Sequence, residues 1–167
     1  IQKAGISRAS FYLYFEDKED LLGCIAESWV DVILRKLTEA FRVSDGSYYE
    51  SMKLWMSQAL ENDISREVWK VYKRVMEEED FTRKSKMGAL QFKASPKWRQ
   101  VIEECYGHMD QSRYPGLTPE KLAYAVDMGL LAMVQLSMRY VEHYAPLAEL
   151  KEAAWHQLTI LDKGIRE

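Results

Sequence analysis

Gly5-Ile6-Ser7-Arg8-Ala9-Ser10-Phe11-Tyr12-Leu13-Tyr14-Phe15-Glu16-Asp17-Lys18-Glu19-Asp20-Leu21-Leu22 is the stretch that decides how this chain is organised. Gly5 can take the positive φ of a tight turn between two helices, and Ser7 can then cap the next helix. That helix is short, about two turns over residues 7–15, and rich in aromatics. Asp17 opens a new helix, with Asp20 three positions on and the apolar pair Leu21-Leu22 behind it. A short helix with a polar start, set behind a glycine turn, is the pattern of a helix-turn-helix reader.

Around this stretch the composition is that of a folded, all-α protein. The 167 residues are enough for one core, or for a small head on a larger body. Hydrophobic residues at 47% and charged residues at 29% exclude a disordered chain. Four prolines and eight glycines leave room for long helices, and no stretch alternates as strands do. No stretch reads as a signal peptide. The most apolar run, Leu122 to Met138, holds Asp127 and Gln135 and is too short to span a bilayer, so no membrane is expected. Cys24 and Cys105 have no metal-ligand spacing. They read as packing residues in a protein of the reducing cytoplasm.

The formal charge of −3 weighs against a nucleic-acid partner. Residues 1–35 carry Lys3, Arg8, Lys18 and Arg35 against Glu16, Asp17, Glu19, Asp20, Glu27 and Asp31, a net of −2. Local geometry can still offer Arg8 and Lys18 to phosphate, while the acids favour the positive end of the helix that Asp17 opens. Ile1-Gln2-Lys3-Ala4 reads as the end of a helix. A complete three-helix head needs more chain upstream, so the N-terminal part of the head is expected to be missing, with further basic residues on it.

Beyond Asp17 a long helix is expected to about Val43, with Leu22, Ile25, Trp29, Ile33, Leu37 and Phe41 on one face. Ser44-Asp45-Gly46 breaks it. Ser47-Tyr48-Tyr49-Glu50 is a capping box opening a helix to about Asn62. Another helix is expected over 64–79, and residues 81–94 are expected to be helical. Ser95-Pro96 and Thr118-Pro119 are both capping residues followed by Pro at the first helical position. Their helices run to about Gln111 and His143. A last helix runs from Pro146 to near Gly164 with Leu147, Leu150, Ala154, Leu158 and Leu161 on one stripe. From Leu122 to Met138 the chain is apolar nearly all round, so this helix needs cover on more than one side.

Residues 5–22 resemble the recognition-helix signature of the tetracycline-repressor (TetR) family of transcriptional regulators. The matching residues are Gly5, Ser7, Ala9, Ser10, Phe11, Tyr12, Tyr14, Phe15, Lys18, Glu19, Leu21 and Leu22. Ala9 stands where Gly is common in that family, and Glu16 where Pro is common. The resemblance implies residues 1–22 as the end of a DNA-binding head and residues 23–167 as a helical ligand-binding and dimerisation domain. It implies that Ser7, Arg8, Ser10, Leu13 and Tyr14 face the major groove or its rim, that Tyr12 and Lys18 hold phosphates, and that Phe11 and Phe15 are core. It also implies a homodimer through residues 118–164.

Arg8 is the expected base contact, because guanidinium can grip guanine with two hydrogen bonds. Abundant Tyr, Trp and Met give the body soft aromatic walls suited to an apolar or aromatic effector. Trp55, Trp69, Tyr72, Tyr106, Met109, Tyr124 and Met128 are the expected ligand contacts, against the plainer reading that they are core. In the family a ligand shifts the connecting helix and so the spacing of the two heads. His108, His143 and His156 show no metal spacing, and no nucleophile motif or phosphate loop is present, so neither catalysis, nor a metal, nor a cofactor is expected. The expected function is a ligand-responsive dimeric repressor on double-stranded operator DNA. The alternative is a helical interaction protein of the same architecture that acts through protein partners.

Overall fold

The computed structural model describes residues 7–61, 95–142 and 146–167. Within them the chain is helical, with no strand. We number the helices α1 (Arg8–Tyr12), α2 (Lys18–Val43), α3 (Tyr48–Glu61), α4 (Pro96–Gly107), α5 (Pro119–Val141) and α6 (Leu147–Gly164). The expected helix over 64–79, the stretch 81–94, and Ile1 to Ile6 lie outside the described residues.

Each start follows from a local polar group. The Asp17 carboxylate accepts from the Asp20 N–H at 2.7 Å, and the Asp20 carboxylate accepts from the Glu16 N–H at 3.0 Å, so two donors at the head of α2 are satisfied reciprocally. Ser95 accepts from Trp98 N–H at 3.2 Å and Thr118 from Lys121 N–H at 3.3 Å, each with Pro in the first turn behind it. Ser47 accepts from Glu50 N–H at 3.3 Å, which is the first half of the expected box. Pro146 sits at the N-cap of α6 and supplies no side-chain bond.

α4 stops at Gly107, short of the expected Gln111. The cause is a competing acceptor. The Asp110 N–H, which would close another helical turn, donates instead to the Gly46 carbonyl at 3.1 Å. The Asp110 carboxylate meanwhile accepts from Ser112 N–H at 2.9 Å and Ser112 Oγ–H at 2.6 Å, which makes a turn. Gly46 has φ +69°, after Asp45 at +48°. A Cβ at Gly46 would fall 2.6 Å from the Asp110 nitrogen, so this corner requires glycine for conformation and for space.

The core lies between α2, α3, α5 and α6, with α4 closing one side against α2 and α5. α2 contributes Leu34, Leu37, Ala40 and Phe41, and α3 contributes Tyr48, Met52, Trp55, Met56 and Leu60. On α5, Leu122, Ala125, Val126, Met133 and Leu136 are buried, and on α6, Leu150, Ala154 and Leu158. Gly129 lets α5 approach α3 closely, since a Cβ there would meet Met52 Cε at 2.4 Å and the Tyr48 hydroxyl at 3.3 Å. Burial is graded along α2: the fully buried residues begin at Leu34, while the described side chains before it are exposed or half-buried.

Candidate functional site

Ser7 is extended (φ −70°, ψ 154°) and its hydroxyl accepts from the Ser10 N–H at 3.0 Å, so it caps α1 as its position in the sequence implies. The two hydroxyls, Ser7 Oγ and Ser10 Oγ, are also 2.9 Å apart and bonded to each other. α1 spans five residues rather than the expected nine. Two local features set its end. Tyr14 and Phe15 both return N–H bonds to the Phe11 carbonyl, and the chain is then drawn into the cap of α2 at Glu16 and Asp17.

The turn leaves Tyr12, Leu13 and Tyr14 at 64, 79 and 78% exposure, three consecutive large side chains turned to solvent. Phe11 and Phe15 pack on one another, ring centroids 5.4 Å apart, and the Tyr12 ring meets Phe11 edge-on at 5.2 Å. Both phenylalanines are half-buried rather than core. Lys18, the first residue of α2, is exposed, as is Ser7, and Ser10 is half-buried. Arg8 opens α1; its side chain lies outside the described residues. The acids beside Lys18 are partly engaged, because Asp17 and Asp20 each accept a backbone N–H.

Among the described residues, the expected effector positions point in different directions. Trp55 is buried in the core and its indole N–H donates to the Ile33 carbonyl at 3.3 Å, holding α3 to α2. Met109 is buried, and the half-buried Tyr106 hydroxyl has two alternative acceptors, the Leu117 carbonyl at 3.2 Å and Gln111 Oε1 at 3.3 Å. Tyr124 and Met128 point the other way, 75 and 52% exposed on the outer face of α5. The reason is helical phase: Leu122, Val126 and Met133 take the inward side, and Tyr124, Met128 and Leu131, at steps of four and three, take the outward one. Trp69 and Tyr72 lie outside the described residues. Ile160 of α6 is likewise exposed, at 58%.

Two chemical exclusions come from the geometry. Burial pushes the Cys105 thiol up to about 12, with the Glu104 charge adding to it, so this sulfur is no nucleophile at neutral pH. Among the described residues no cluster of His, Cys, Asp and Glu could hold a metal, and no helix is long and apolar enough to cross a membrane.

Sequence reasoning missed a polar cluster in which Tyr48, Tyr114 and Asp162 are buried and Arg166 closes the outer, exposed side. Tyr114 is fully buried although it lies in a loop, and its hydroxyl donates to Asp162 Oδ1 at 2.5 Å. Burial, then the Asp162 carboxylate, push the Tyr114 phenol above its ordinary range, and burial does the same to Tyr48. The overlooked signal is Asp162 itself. It continues the series Leu150, Ala154, Leu158 at steps of four, with Arg166 four residues further on.

Compared with known proteins, the chain matches no family model, no curated protein and no solved structure.

Proposed function

We propose that this chain is a ligand-responsive, dimeric transcriptional repressor of the cytoplasm that binds operator DNA through its N-terminal tip. The reading rests first on the register of residues 5–22. The observation that carries it further is the Ser-capped turn that holds Tyr12, Leu13 and Tyr14 outward, with Lys18 beside them at the start of a 26-residue helix rooted in the body. Tyrosine hydroxyls and a lysine suit phosphate and groove-rim contacts, and Arg8 belongs to the same turn as the residue for a base.

The exposed apolar residues Tyr124, Met128 and Leu131 along one side of α5, with Ile160 on α6, support a second copy as partner, because exposed apolar surface grouped on one helix face is suited to a protein contact. A two-fold pair of tips is what a duplex with two half-sites requires. An apolar or aromatic effector acts by favouring one spacing of the tips over another, a population shift rather than a turnover. The chain then works by binding, without catalysis or cofactor.

A second reading, an interaction protein that engages other proteins through the same tip, is favoured by the exposed carboxylates of Glu16, Asp17 and Asp20 around the aromatic turn. Fluorescence anisotropy of a labelled random duplex separates the two. Under the regulator reading, affinity falls roughly a thousandfold or more between 50 and 200 mM salt, as expected for about six or more phosphate contacts. Absence of binding at low salt, or binding indifferent to salt, favours the protein-partner reading.

A further inference from the structure

Leu13 is the most exposed large hydrophobic side chain among the described residues, at 79%. Its backbone is nonetheless fixed. At φ −74° and ψ −24° it stays in the right-handed helical region, and the N–H groups of Tyr14 and Phe15 both return to the Phe11 carbonyl at 3.1 Å. The turn of α1 therefore continues through Leu13, and helical phase decides where it faces. Phe11 and Phe15, four positions apart, are half-buried and pack on one another. Leu13 lies two positions from each, about 200° round a helix, so it stands opposite them. Ala9, one turn earlier on the Leu13 side, is exposed as well.

A single exposed leucine is ordinary. This one stands between two exposed tyrosines on a capped turn, with an exposed alanine beside it, so the middle of the outer face is apolar. Most of what a duplex presents is polar: phosphate oxygens, and the donors and acceptors of the base edges. Tyr12, Tyr14, Lys18 and Arg8 can answer those groups, and a leucine cannot. The apolar feature of the major groove is the C5 methyl of thymine, which sits beside the O4 acceptor.

We infer that Leu13, with Ala9 beside it, reads thymine through its C5 methyl, so that each half-site carries an A·T pair at one fixed position distinct from the base assigned to Arg8. The inference rests on the DNA-binding reading proposed above and adds to it the base edge that the tip selects.

The test compares one base with and without that methyl. Deoxyuridine keeps the pairing with adenine and the O4 acceptor of thymidine and lacks only the C5 methyl. The duplex that the chain recovers from a randomised library is remade with each thymine in turn replaced by deoxyuridine, at the matching position of both half-sites, and binding is followed by fluorescence anisotropy at fixed salt. One position is expected to weaken binding roughly fourfold per half-site, and so roughly fifteenfold for the pair, the effect of one methyl losing its apolar contact. Leu13→Ala is expected to bind the two duplexes within about twofold of each other, since little apolar surface is left to meet the methyl. It is also expected to keep the Tm of the parent chain, because the side chain it shortens is exposed.

The inference is overturned if the library yields no sequence preference, if no deoxyuridine position matters to the parent chain, or if the loss persists undiminished in Leu13→Ala. A lowered Tm for Leu13→Ala overturns it too, by making Leu13 a packing residue. In each of these cases salt-dependent binding to unsubstituted duplex leaves the DNA-binding reading standing. A chain that binds no duplex at low salt fails both together.

Discussion

Replacing Gly46 with alanine tests the corner on which the body is built. At φ +69° an L-residue loses about 1–2 kcal/mol to the left-handed conformation. The added Cβ would also sit 2.6 Å from the Asp110 nitrogen and 2.7 Å from its Cβ, both attached to backbone that cannot swing aside as a side-chain end would. Asp110 must then withdraw, and its N–H bond to the Gly46 carbonyl is lost at about 1 kcal/mol. Gly46→Ala should therefore cost roughly 2–3 kcal/mol, or roughly 5–10 °C in Tm for a chain of this size. Gly23 supplies the opposite case. It lies inside α2 with open space where a Cβ would go, so Gly23→Ala should stabilise by about 0.5–1 kcal/mol through helix propensity alone. Urea unfolding followed by circular dichroism measures both, and the m-value should stay constant. If Gly46→Ala loses less than about 1 kcal/mol, neither the left-handed turn nor the contact with Asp110 constrains the native state.

Under the dimeric regulator reading, Leu131→Glu should give a monomer by light scattering whose Tm no longer depends on protein concentration. The residue is 49% exposed in one chain, but a carboxylate from each copy in an apolar contact costs several kcal/mol. Without denaturant, a thiol reagent should modify Cys24 promptly and Cys105 only on unfolding, because Cys105 is buried and its thiol is pushed up to about 12. Tyr48 and Tyr114 are raised above the ordinary phenol value of 10.0. Their contribution to stability is then complete below pH 10 and is lost as pH climbs beyond it. Tm between pH 8 and 11 should fall, and Tyr48→Phe should flatten the fall. Lys18→Ala should weaken binding to all duplexes alike and reduce the salt slope by about one, whereas Arg8→Ala should relax preference at a single base position.

The features legible in the sequence were local ones. Ser7, Asp17, Ser47, Ser95 and Thr118 cap helices because a hydroxyl or carboxylate ahead of an apolar repeat has few other ways to be satisfied. The stripe Leu150, Ala154, Leu158 was readable for the same reason, since helical period alone decides it. Features set by distant parts of the chain were not. Gly107 ends α4 because a carbonyl at Gly46 competes for the Asp110 N–H, and nothing near Gly107 announces it. Tyr114 is buried in a loop because Asp162 and Tyr48 wait for its hydroxyl. For the expected effector residues the described positions divide by helical phase, Trp55 and Met109 inward and Tyr124 and Met128 outward. Aromatic content located the helices that carry Trp55, Tyr106 and Tyr124, but not which sides those helices turn inward. At the tip the Ser7 and Asp17 caps were legible, but the helix is shorter than its pattern because the cap of α2 claims Glu16 and Asp17, and Ser10, Phe11 and Phe15 are all half-buried.

The central claim, paired tips reading one face of a duplex, is tested most directly by selecting bound sequences from a randomised duplex library and footprinting the winner. The account predicts an inverted repeat whose two protected half-sites lie about one helical turn apart, or a multiple of it, on one side of the DNA. Enrichment of no sequence, or a single protected half-site indifferent to Arg8→Ala, would contradict it.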